Sequence, residues 1–263
     1  MISSTRRIWA ITYRHLVLWP RNIDKLVEAF WWPLLDVILW GLVTVYVTGV
    51  GEGPTVATVF LSAAMLWSIV YRSGYEIPLA FLEETWNRNL IHLAVTPLHP
   101  IEYLIGTLVV SAAKLLLGVI AMLLAAWVLF SYAPTTLGFA FIPSIVMLTA
   151  FGWAIGLGVT GAIVRFGTRV QSFAWTFVFI FQPISCAFYP LATLPEWLQP
   201  IARALPTTHV FEGMRATLAT GHTDWPALVT AGALNVLWLI IACAAAAWGY
   251  HRARVSGAIA RQE

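Results

Sequence analysis

Long apolar segments separated by polar breaks run through most of the chain. A helix needs about 20 apolar residues to cross a bilayer. Segments of this kind predict six transmembrane helices, at about 29–49, 55–80, 103–131, 137–164, 171–193 and 226–250. The breaks include two longer stretches, 83–100 and 190–225, that are rich in proline. The pattern therefore predicts an all-α polytopic membrane protein in which residues 1–263 form a single transmembrane domain.

The amino-terminal residues 1–28 have a different pattern, in which apolar and basic positions are mixed. Residues 5–28 are predicted to form an amphipathic helix at the cytoplasmic membrane surface, where arginine and lysine side chains face anionic headgroups. Pro20 is expected to kink or divide this helix. A simple anchor that only fixes the topology is an alternative interpretation, and the two are compatible.

The composition narrows the range of functions. Hydrophobic residues make up 60% of the chain and charged residues 10%, whereas a typical soluble domain is about half apolar and about a quarter charged. So little charge cannot cover a water-facing surface. A soluble enzyme, a disordered protein and a nucleic-acid binder are therefore excluded. Cys186 and Cys243 lie in apolar stretches and are expected to remain thiols.

The distribution of lysine and arginine predicts the orientation, because cytoplasmic loops are enriched in both residues. With six spans and a cytoplasmic amino terminus, only Arg203 and Arg215 lie outside. The residues that lie inside are Arg6, Arg7, Arg14, Arg21, Lys25, Arg88, Arg165, Arg169, Arg252, Arg254 and Arg261. Both termini and residues 83–100 are therefore expected in the cytoplasm, and residues 190–225 outside.

The chain offers no chemistry of its own for nucleotide hydrolysis. The phosphate-binding pattern G-x-x-x-x-G-K-[ST] is absent. Gly156 and Gly158 lie inside a predicted span with no preceding strand, so they are expected to form a helix-packing site together with Gly152 and Gly161. No histidine pair has metal-ligand spacing, and no nucleophile elbow occurs. The chain is therefore not expected to be an enzyme or to hold a cofactor or metal.

Four ionisable residues within the predicted spans are candidates for function, because burying a charge in lipid is costly. Arg72 and Glu76 are four residues apart, which places them on one helix face as a predicted ion pair. This pair either serves transport or only fixes helix packing. Asp36 and Lys114 lie on other spans, where they either pair across helices or line a polar path.

Aromatic residues recur on the fifth predicted span. Phe173, Phe177, Phe181 and Phe188 have roughly helical spacing. Such a face is interpreted either as a smooth wall along a translocation path or as ordinary packing.

The two longer polar stretches have patterns of their own. Residues 83–100 begin with Glu83 and Glu84 and are interrupted by Pro97 and Pro100, which predicts a short amphipathic helix suited to transmitting force from a cytoplasmic partner. Residues 190–215 are too apolar for a solvated loop and contain too many prolines for a span. They are predicted to form two short external helices that dip back into the outer leaflet before the last span.

These two stretches, in this order on a six-span chain, resemble the permease subunit of ABC-2 type ABC transporters. The matching motifs are Phe188-Tyr189-Pro190, Leu194-Pro195 with Trp197-Leu198, Leu205-Pro206 with His209, Glu212 with Arg215, Thr96-Pro97, and the acidic start Glu83-Glu84. Residues 88–91 differ from many members, which have Gly-Thr and an acidic residue before the Thr-Pro.

The resemblance implies the membrane half of an ATP-driven exporter in a bacterial inner membrane. The family includes exporters of polysaccharides, lipo-oligosaccharides and antibiotics such as daunorubicin. The substrate would be a lipid-linked glycan, a lipid or a hydrophobic small molecule. It would leave the cytoplasm or the inner leaflet along a path lined by a homodimer. Two copies of a separate ATPase, which binds ATP and Mg²⁺, would dock on residues 83–100.

The resemblance also assigns roles to residues of this chain. The residues expected to couple to the ATPase are Glu83, Glu84, Arg88, Asn89, Thr96 and Pro97. The residues expected at an external gate are Tyr189, Pro190, Pro195, Trp197, Pro206, His209, Glu212 and Arg215. Glu212 and Arg215 are three residues apart and are predicted to pair.

An ion-coupled secondary transporter is the alternative function. It would use Asp36, Arg72, Glu76 and Lys114 as titrating or ion-binding groups and would work without ATP.

Overall fold

The computed structural model of the chain describes residues 3–49, 54–132 and 138–255, and these residues form helices joined by turns without any strand. The predicted all-α architecture is confirmed for this part of the chain. The helices are α1 (Ser4–Leu18), α2 (Ile23–Gly49), α3 (Pro54–Trp86), α4 (Leu90–Ala94), α5 (Pro100–Phe130), α6 (Phe141–Phe166), α7 (Phe173–Phe181), α8 (Gln199–Arg203), α9 (Pro206–Thr220) and α10 (Trp225–Val255). The single-domain prediction over residues 1–263 includes positions outside the described residues.

Four segments within the described residues are long and apolar enough to cross a membrane. They are Lys25–Gly49, Pro100–Phe130, Gly138–Val170 and Trp225–Val255, and they correspond to the first, third, fourth and sixth predicted spans. The second predicted span lies on α3, which is 33 residues long. Arg72 and Glu76 lower the mean hydropathy of its described part.

The amino-terminal region forms two helices where the sequence predicts one. The helix α1 ends at Leu18, and α2 begins at Ile23 after a turn that contains Pro20. Pro20 thus divides the region as expected, because proline lacks the N–H that a continuing helix needs. Residues 23–28 are the first turns of the spanning helix α2, so the prediction that they extend the amphipathic helix is wrong.

The predicted coupling region also begins differently. Glu83 and Glu84 lie on the last turns of α3 rather than at the start of a separate helix. The chain breaks at Arg88, which has a left-handed φ of 52°, and the short helix α4 then covers only Leu90–Ala94. Pro78 lies inside α3 without ending it, and no proline or glycine stands between Pro78 and Glu83, so the acidic residues continue the helix of the preceding span.

The core of the molecule lies around α6, which packs most extensively against α10 and α3. Glycines allow these close contacts. A methyl group on Gly156 would come within 2.5 Å of the Gly74 carbonyl oxygen, and one on Gly161 within 2.7 Å of the Ala246 Cα. Gly152 likewise lies against Ser73, whereas Gly158 has open space beside it. The predicted packing role is confirmed for all of these α6 glycines except Gly158.

The fifth predicted span, 171–193, is only partly helical. The helix α7 ends at Phe181 after nine residues, and a 3-10 turn at Gln182–Ile184 follows. Pro183 removes a backbone donor at this point, and Cys186 then has a left-handed φ of 54°. The chain continues through irregular structure to the short helix α8 and to α9. Two helices, α8 and α9, therefore lie between α7 and α10, where the sequence predicts two helices before the last span.

Candidate functional site

The basic residues of the amino-terminal region pair with acidic residues at the ends of two other helices. Arg7 donates two hydrogen bonds to the Glu102 carboxylate at 2.7 and 2.8 Å. Arg14 contacts Glu84 at 2.5 Å, and the Lys25 Nζ lies 2.5 Å from the Glu83 Oε2. We call these six residues the amino-terminal ion-pair cluster. Through it, α1 connects the carboxyl end of α3 with the amino end of α5.

Glu84 is the most enclosed member of the cluster, with 1% of its surface exposed. One carboxylate oxygen accepts from Arg14, and the other accepts from the Asn89 Nδ2 at 2.5 Å. His15 lies 3.8 Å from the same carboxylate. Burial lowers the pKa of His15 from its usual 6.5, and the positive charge of Arg14 lowers it further. The imidazole is therefore neutral near pH 7, and the guanidinium of Arg14 supplies the positive charge that Glu84 needs.

Glu102 holds the start of α5 in place. Its carboxylate accepts from the Ser4 hydroxyl at 2.5 Å and from the His99 backbone N–H at 3.0 Å, in addition to Arg7. The contact with His99 closes a capping box at the first turn of α5. The sequence reasoning did not identify Glu102 as a site residue. Its position three residues after the N-cap residue His99, with Pro100 at the first helical position, was the available signal.

The predicted coupling residues divide into two groups. Arg88, Thr96 and Pro97 are exposed and free to contact a partner. By contrast, Glu83 and Glu84 are occupied by Lys25 and Arg14 of the same chain. Both glutamates therefore form ion pairs with basic residues of the same chain, which the sequence did not predict. Asn89 is half-buried against Glu84.

The charges within the predicted spans pair differently from the prediction. Glu76 binds Lys114 of α5, with 2.8 Å between the Oε2 and Nζ atoms. The predicted pair between Arg72 and Glu76 is therefore wrong. Spacing along one helix does not show whether a cation of a neighbouring helix lies closer, and here Lys114 does. Asp36 accepts a hydrogen bond from the Ser68 hydroxyl at 3.0 Å. Of the two alternatives for Asp36 and Lys114, a pair across helices or the lining of a polar path, the described residues do not show the pair.

A cavity of about 360 Å³ lies between α2, α3 and the segment around the end of α7. Its polar lining consists of Asp36, Ser68, Arg72 and Gln182. Its aromatic lining consists of Trp32, Trp40, Trp67, Tyr71, Phe179 and Phe188. We call this space the aromatic cavity. It combines charged groups with aromatic walls, and it therefore forms the candidate ligand site.

Arg72 lies between the aromatic cavity and the amino-terminal ion-pair cluster. It also borders a narrow space of about 10 Å³ that is lined by Lys25, Glu76, Glu83 and Lys114. Ser68, Arg72 and Glu76 follow one another at intervals of four residues along α3, so they share one face of that helix. The same helix therefore carries both the polar wall of the cavity and the acidic residues that bind α1 and the start of α2.

Of the aromatic residues on the fifth predicted span, Phe179 and Phe188 line the aromatic cavity, where Phe188 stacks on Trp40 with ring centroids 4.7 Å apart. Phe177 and Phe181 pack against the core instead. The Phe181 ring packs edge-on against Phe151, with 5.6 Å between the ring centroids. Phe173 is about half exposed and contacts Phe177. The expectation that Phe173, Phe177 and Phe181 line the candidate path is therefore not met by this cavity.

The segment before α10 is held by Arg215 and Glu212. Arg215 contacts Glu212 at 2.9 Å, which confirms the predicted pair. Arg215 also donates to the backbone carbonyls of Cys186 at 2.7 Å and Ala187 at 3.1 Å. Glu212 accepts from the Leu191 backbone N–H at 2.7 Å. The two charged residues thus join α9 to the irregular segment after α7.

The other predicted gate residues lie around this segment. His209 contacts the Arg203 carbonyl oxygen at 2.9 Å, and the Tyr189 hydroxyl donates to the Pro183 carbonyl oxygen. Trp197 is 73% exposed. Pro190, Pro195 and Pro206 each lie at the start of a turn or helix, where a missing N–H is tolerated.

A family model described as ABC-2 type transporter matches residues 6–219, which is most of the chain. The chain belongs to the ABC-2 type transporter family. It is accordingly the permease component of an ABC transporter and a multi-pass membrane protein. Comparison with curated proteins returned no match.

The family match spans both structural sites of this ABC-2 type transporter, namely the amino-terminal ion-pair cluster and the aromatic cavity. Several cavity residues of the transporter were missed by sequence reasoning, among them Trp40, Ser68 and Gln182. Their residue types are common in membrane helices, so only the packing of α2 against α3 brings them together. Within the described residues, no group of three or more histidine, cysteine, aspartate or glutamate side chains is arranged to hold a metal ion.

Proposed function

We propose that the chain is the membrane subunit of an ATP-driven exporter that moves a lipid-linked glycan, a lipid or a hydrophobic small molecule out of the cytoplasm or the inner leaflet. The family match over residues 6–219 carries this proposal. In it, residues 1–263 form one transmembrane domain with six spans in a bacterial inner membrane, with both termini in the cytoplasm. Two copies line the path, and residues 190–215 form a re-entrant external region.

The proposed partner is a separate ATPase, two copies of which bind ATP and Mg²⁺ and dock on residues 83–100. The exposed positions Arg88, Thr96 and Pro97 support this docking surface, because their side chains are open to a second protein. Glu83, Glu84 and Asn89 then act as positioning residues. They hold α1, the start of α2 and the segment around α4 against the end of α3.

The coupling that we propose runs along α3. A force applied near Arg88 reaches the last turns of α3, and the Arg14–Glu84 and Arg7–Glu102 pairs pass it through α1 to α5. Because Ser68 and Arg72 lie on the same helix, a shift of α3 changes the wall of the aromatic cavity. The contacts of Glu212 and Arg215 support a gating role at the opposite end, together with Tyr189, Pro190, Pro195, Trp197, Pro206 and His209.

The first test is purification of the tagged chain from its own host in mild detergent, followed by identification of the proteins that accompany it. We expect a stoichiometric ATPase with a Walker motif, and ATP hydrolysis that disappears when the Walker lysine of that partner is replaced. Arg88→Glu should weaken the association because it reverses an exposed charge. Arg203→Glu is the matched control, since Arg203 is also exposed and is the last residue of α8, outside residues 83–100. A chain that purifies alone under several mild conditions would contradict the proposal.

The Glu76–Lys114 pair is the observation that favours an ion-coupled secondary transporter as the second candidate. In that function Asp36, Arg72, Glu76 and Lys114 would bind or release an ion during the transport cycle. Uptake or efflux by the purified chain alone, driven by an ion gradient and abolished in Glu76→Gln, would establish it. Transport that requires ATP and the partner ATPase would exclude it.

A further inference from the structure

Two buried hydrogen-bond donors of the aromatic cavity have no acceptor. Arg72 is 3% exposed, and its Nε has no hydrogen-bond partner among the described residues. Trp67 is 5% exposed, and its indole N–H also has no partner. A buried donor without an acceptor is unfavourable, because it has lost its hydrogen bonds to water. Two residues that line the cavity therefore have hydrogen-bonding capacity that the described residues leave unused, and the positive charge of Arg72 favours a ligand oxygen that carries negative charge.

The Arg72 guanidinium is held at the cavity by its surroundings. On the other side of its Nε lies Gly118 of α5, where an added methyl group would come within 3.5 Å of that nitrogen. The acidic residues of the nearby narrow space are already engaged, because Glu76 binds Lys114 and Glu83 binds Lys25. Asp36 interacts electrostatically with Arg72, but within the described residues none of the three carboxylates forms an ion pair with it. The positive charge of Arg72 therefore stays available to a ligand.

The same cavity also contains a carboxylate, Asp36, which is bound by Ser68 one helical turn before Arg72 on α3. The Asp36 carboxylate lines the same cavity and keeps only the Ser68 hydroxyl as a hydrogen-bond partner within the described residues. Trp32, Trp40 and Tyr71 surround this part of the cavity. Aromatic faces beside a carboxylate are the environment that recognises ammonium groups in proteins, because both attract a cation. Asp36 and its rings therefore suit a positively charged group.

We infer that the aromatic cavity binds a zwitterionic group, whose ammonium lies among the rings beside Asp36 and whose phosphate or carboxylate lies on Arg72. Ser68, which holds Asp36, and Arg72 are four residues apart on α3, which corresponds to about 6 Å along the helix axis. That spacing fits an ammonium joined to an anionic group through a short linker. If the protein is the proposed exporter, this group is the headgroup of its substrate. The binding site itself does not depend on the proposed function, whereas transport of the ligand does.

The test compares ligands that share their acyl chains and differ in the charge of the headgroup. Purified protein without any ATPase, in micelles of an uncharged polyoxyethylene detergent, is titrated with short-chain phosphocholine, phosphoglycerol and trimethylammonium lipids by calorimetry. We expect the phosphocholine lipid to bind at least about tenfold more tightly than either singly charged lipid. Tighter binding of the phosphoglycerol or the trimethylammonium lipid would overturn the inference without the use of any variant.

Two variants separate the two halves of the site. Arg72→Gln should reduce phosphocholine binding to the level of the trimethylammonium lipid, and Arg72→Lys should restore part of it. Asp36→Asn should reduce binding to the level of the phosphoglycerol lipid, since the amide oxygen can still accept from Ser68. Arg203→Gln removes an exposed cation distant from the cavity and should change nothing. Unchanged phosphocholine binding in both Arg72→Gln and Asp36→Asn would overturn the inference.

The source of the zwitterion follows from one further titration. Glycerophosphocholine has the headgroup without the acyl chains, so its binding would assign a free zwitterion, whereas binding of the acylated form alone would assign a lipid headgroup. Failure of both ligands to bind would overturn the inference. Because no ATPase is present, loss of binding counts against the zwitterion site alone, and intact binding without ATP-dependent transport counts against the proposed function.

Discussion

Arg14 and Glu84 are 70 positions apart in the chain, and their side chains meet at 2.5 Å. The contact joins an exposed amphipathic helix to a carboxylate that is almost completely buried. A buried carboxylate without its cation is strongly destabilising, whereas the same carboxylate with a hydrogen-bonded guanidinium is tolerated. The position of α1 against α3 therefore depends on this pair, which makes it the first target for mutation.

Arg14→Gln is expected to lower the free energy of unfolding by about 1.5–3 kcal/mol, the range for a hydrogen bond to a charged group. It should also expose α1 to protease. The measurement is denaturant unfolding in detergent micelles together with limited trypsin digestion. Arg21→Gln is the matched control, because the Arg21 side chain is exposed at the turn after α1, and it should change the stability by less than about 0.5 kcal/mol. Equal losses in the two variants would contradict a specific role for the Arg14–Glu84 contact.

A pH dependence follows from His15. Burial is the main cause that lowers its pKa below 6.5, with Arg14 and Lys114 acting in the same direction and Glu84 and Glu83 opposing them. The unfolded chain therefore binds a proton more readily than the folded chain, so stability is complete above about pH 6.5 and falls as the pH decreases further. We expect the thermal midpoint to decrease between pH 7.5 and pH 5.5, and to decrease less in His15→Gln. Equal slopes in both proteins would rule out His15 as the cause.

The Glu76–Lys114 pair can be tested by a double-mutant cycle. Lys114→Met alone leaves a largely buried carboxylate and should cost up to about 3–5 kcal/mol, whereas the same change made in Glu76→Gln should cost much less. A parallel cycle with Arg72→Gln and Glu76→Gln should show the smaller coupling, because these two residues form no ion pair within the described residues. A larger coupling between Arg72 and Glu76 would restore the pairing expected from the sequence.

These charges show what the sequence can and cannot predict. The lengths of the apolar segments predicted α5, α6 and α10 to within a few residues, because a long apolar helix has few alternatives in a membrane. The spacing of Arg72 and Glu76 correctly placed them on one helix face. It did not indicate that Lys114 of another helix lies nearer to Glu76. Contacts such as Arg7–Glu102 join residues 95 positions apart, so they follow only from the packing of α1 on α5.

The α6 glycines predict a contrast between two positions in the same helix. Gly156→Ala should destabilise the protein by about 1–3 kcal/mol, because the methyl group meets the Gly74 carbonyl oxygen in a close helix contact. Gly158→Ala should be neutral or stabilising by up to about 1 kcal/mol, since the position has open space and alanine favours the helix. Denaturant unfolding of both variants checks this. If Gly158→Ala were the more harmful change, the packing of α6 on α3 would not be as described.

The final prediction concerns Arg215, which holds the irregular segment after α7 through the carbonyls of Cys186 and Ala187. Cys186 is completely buried, so its reaction with a thiol reagent reports on opening of this segment. The exposed Cys243 is first replaced by serine so that only one thiol can react. In that background Arg215→Gln should increase the rate of maleimide labelling by about tenfold or more, because hydrogen bonds from a charged donor contribute about 1.5–3 kcal/mol. Arg203→Gln, which removes an exposed arginine near α8, should leave the rate unchanged. Slow labelling in Arg215→Gln would show that other contacts keep the segment closed, and that Arg215 does not control its opening.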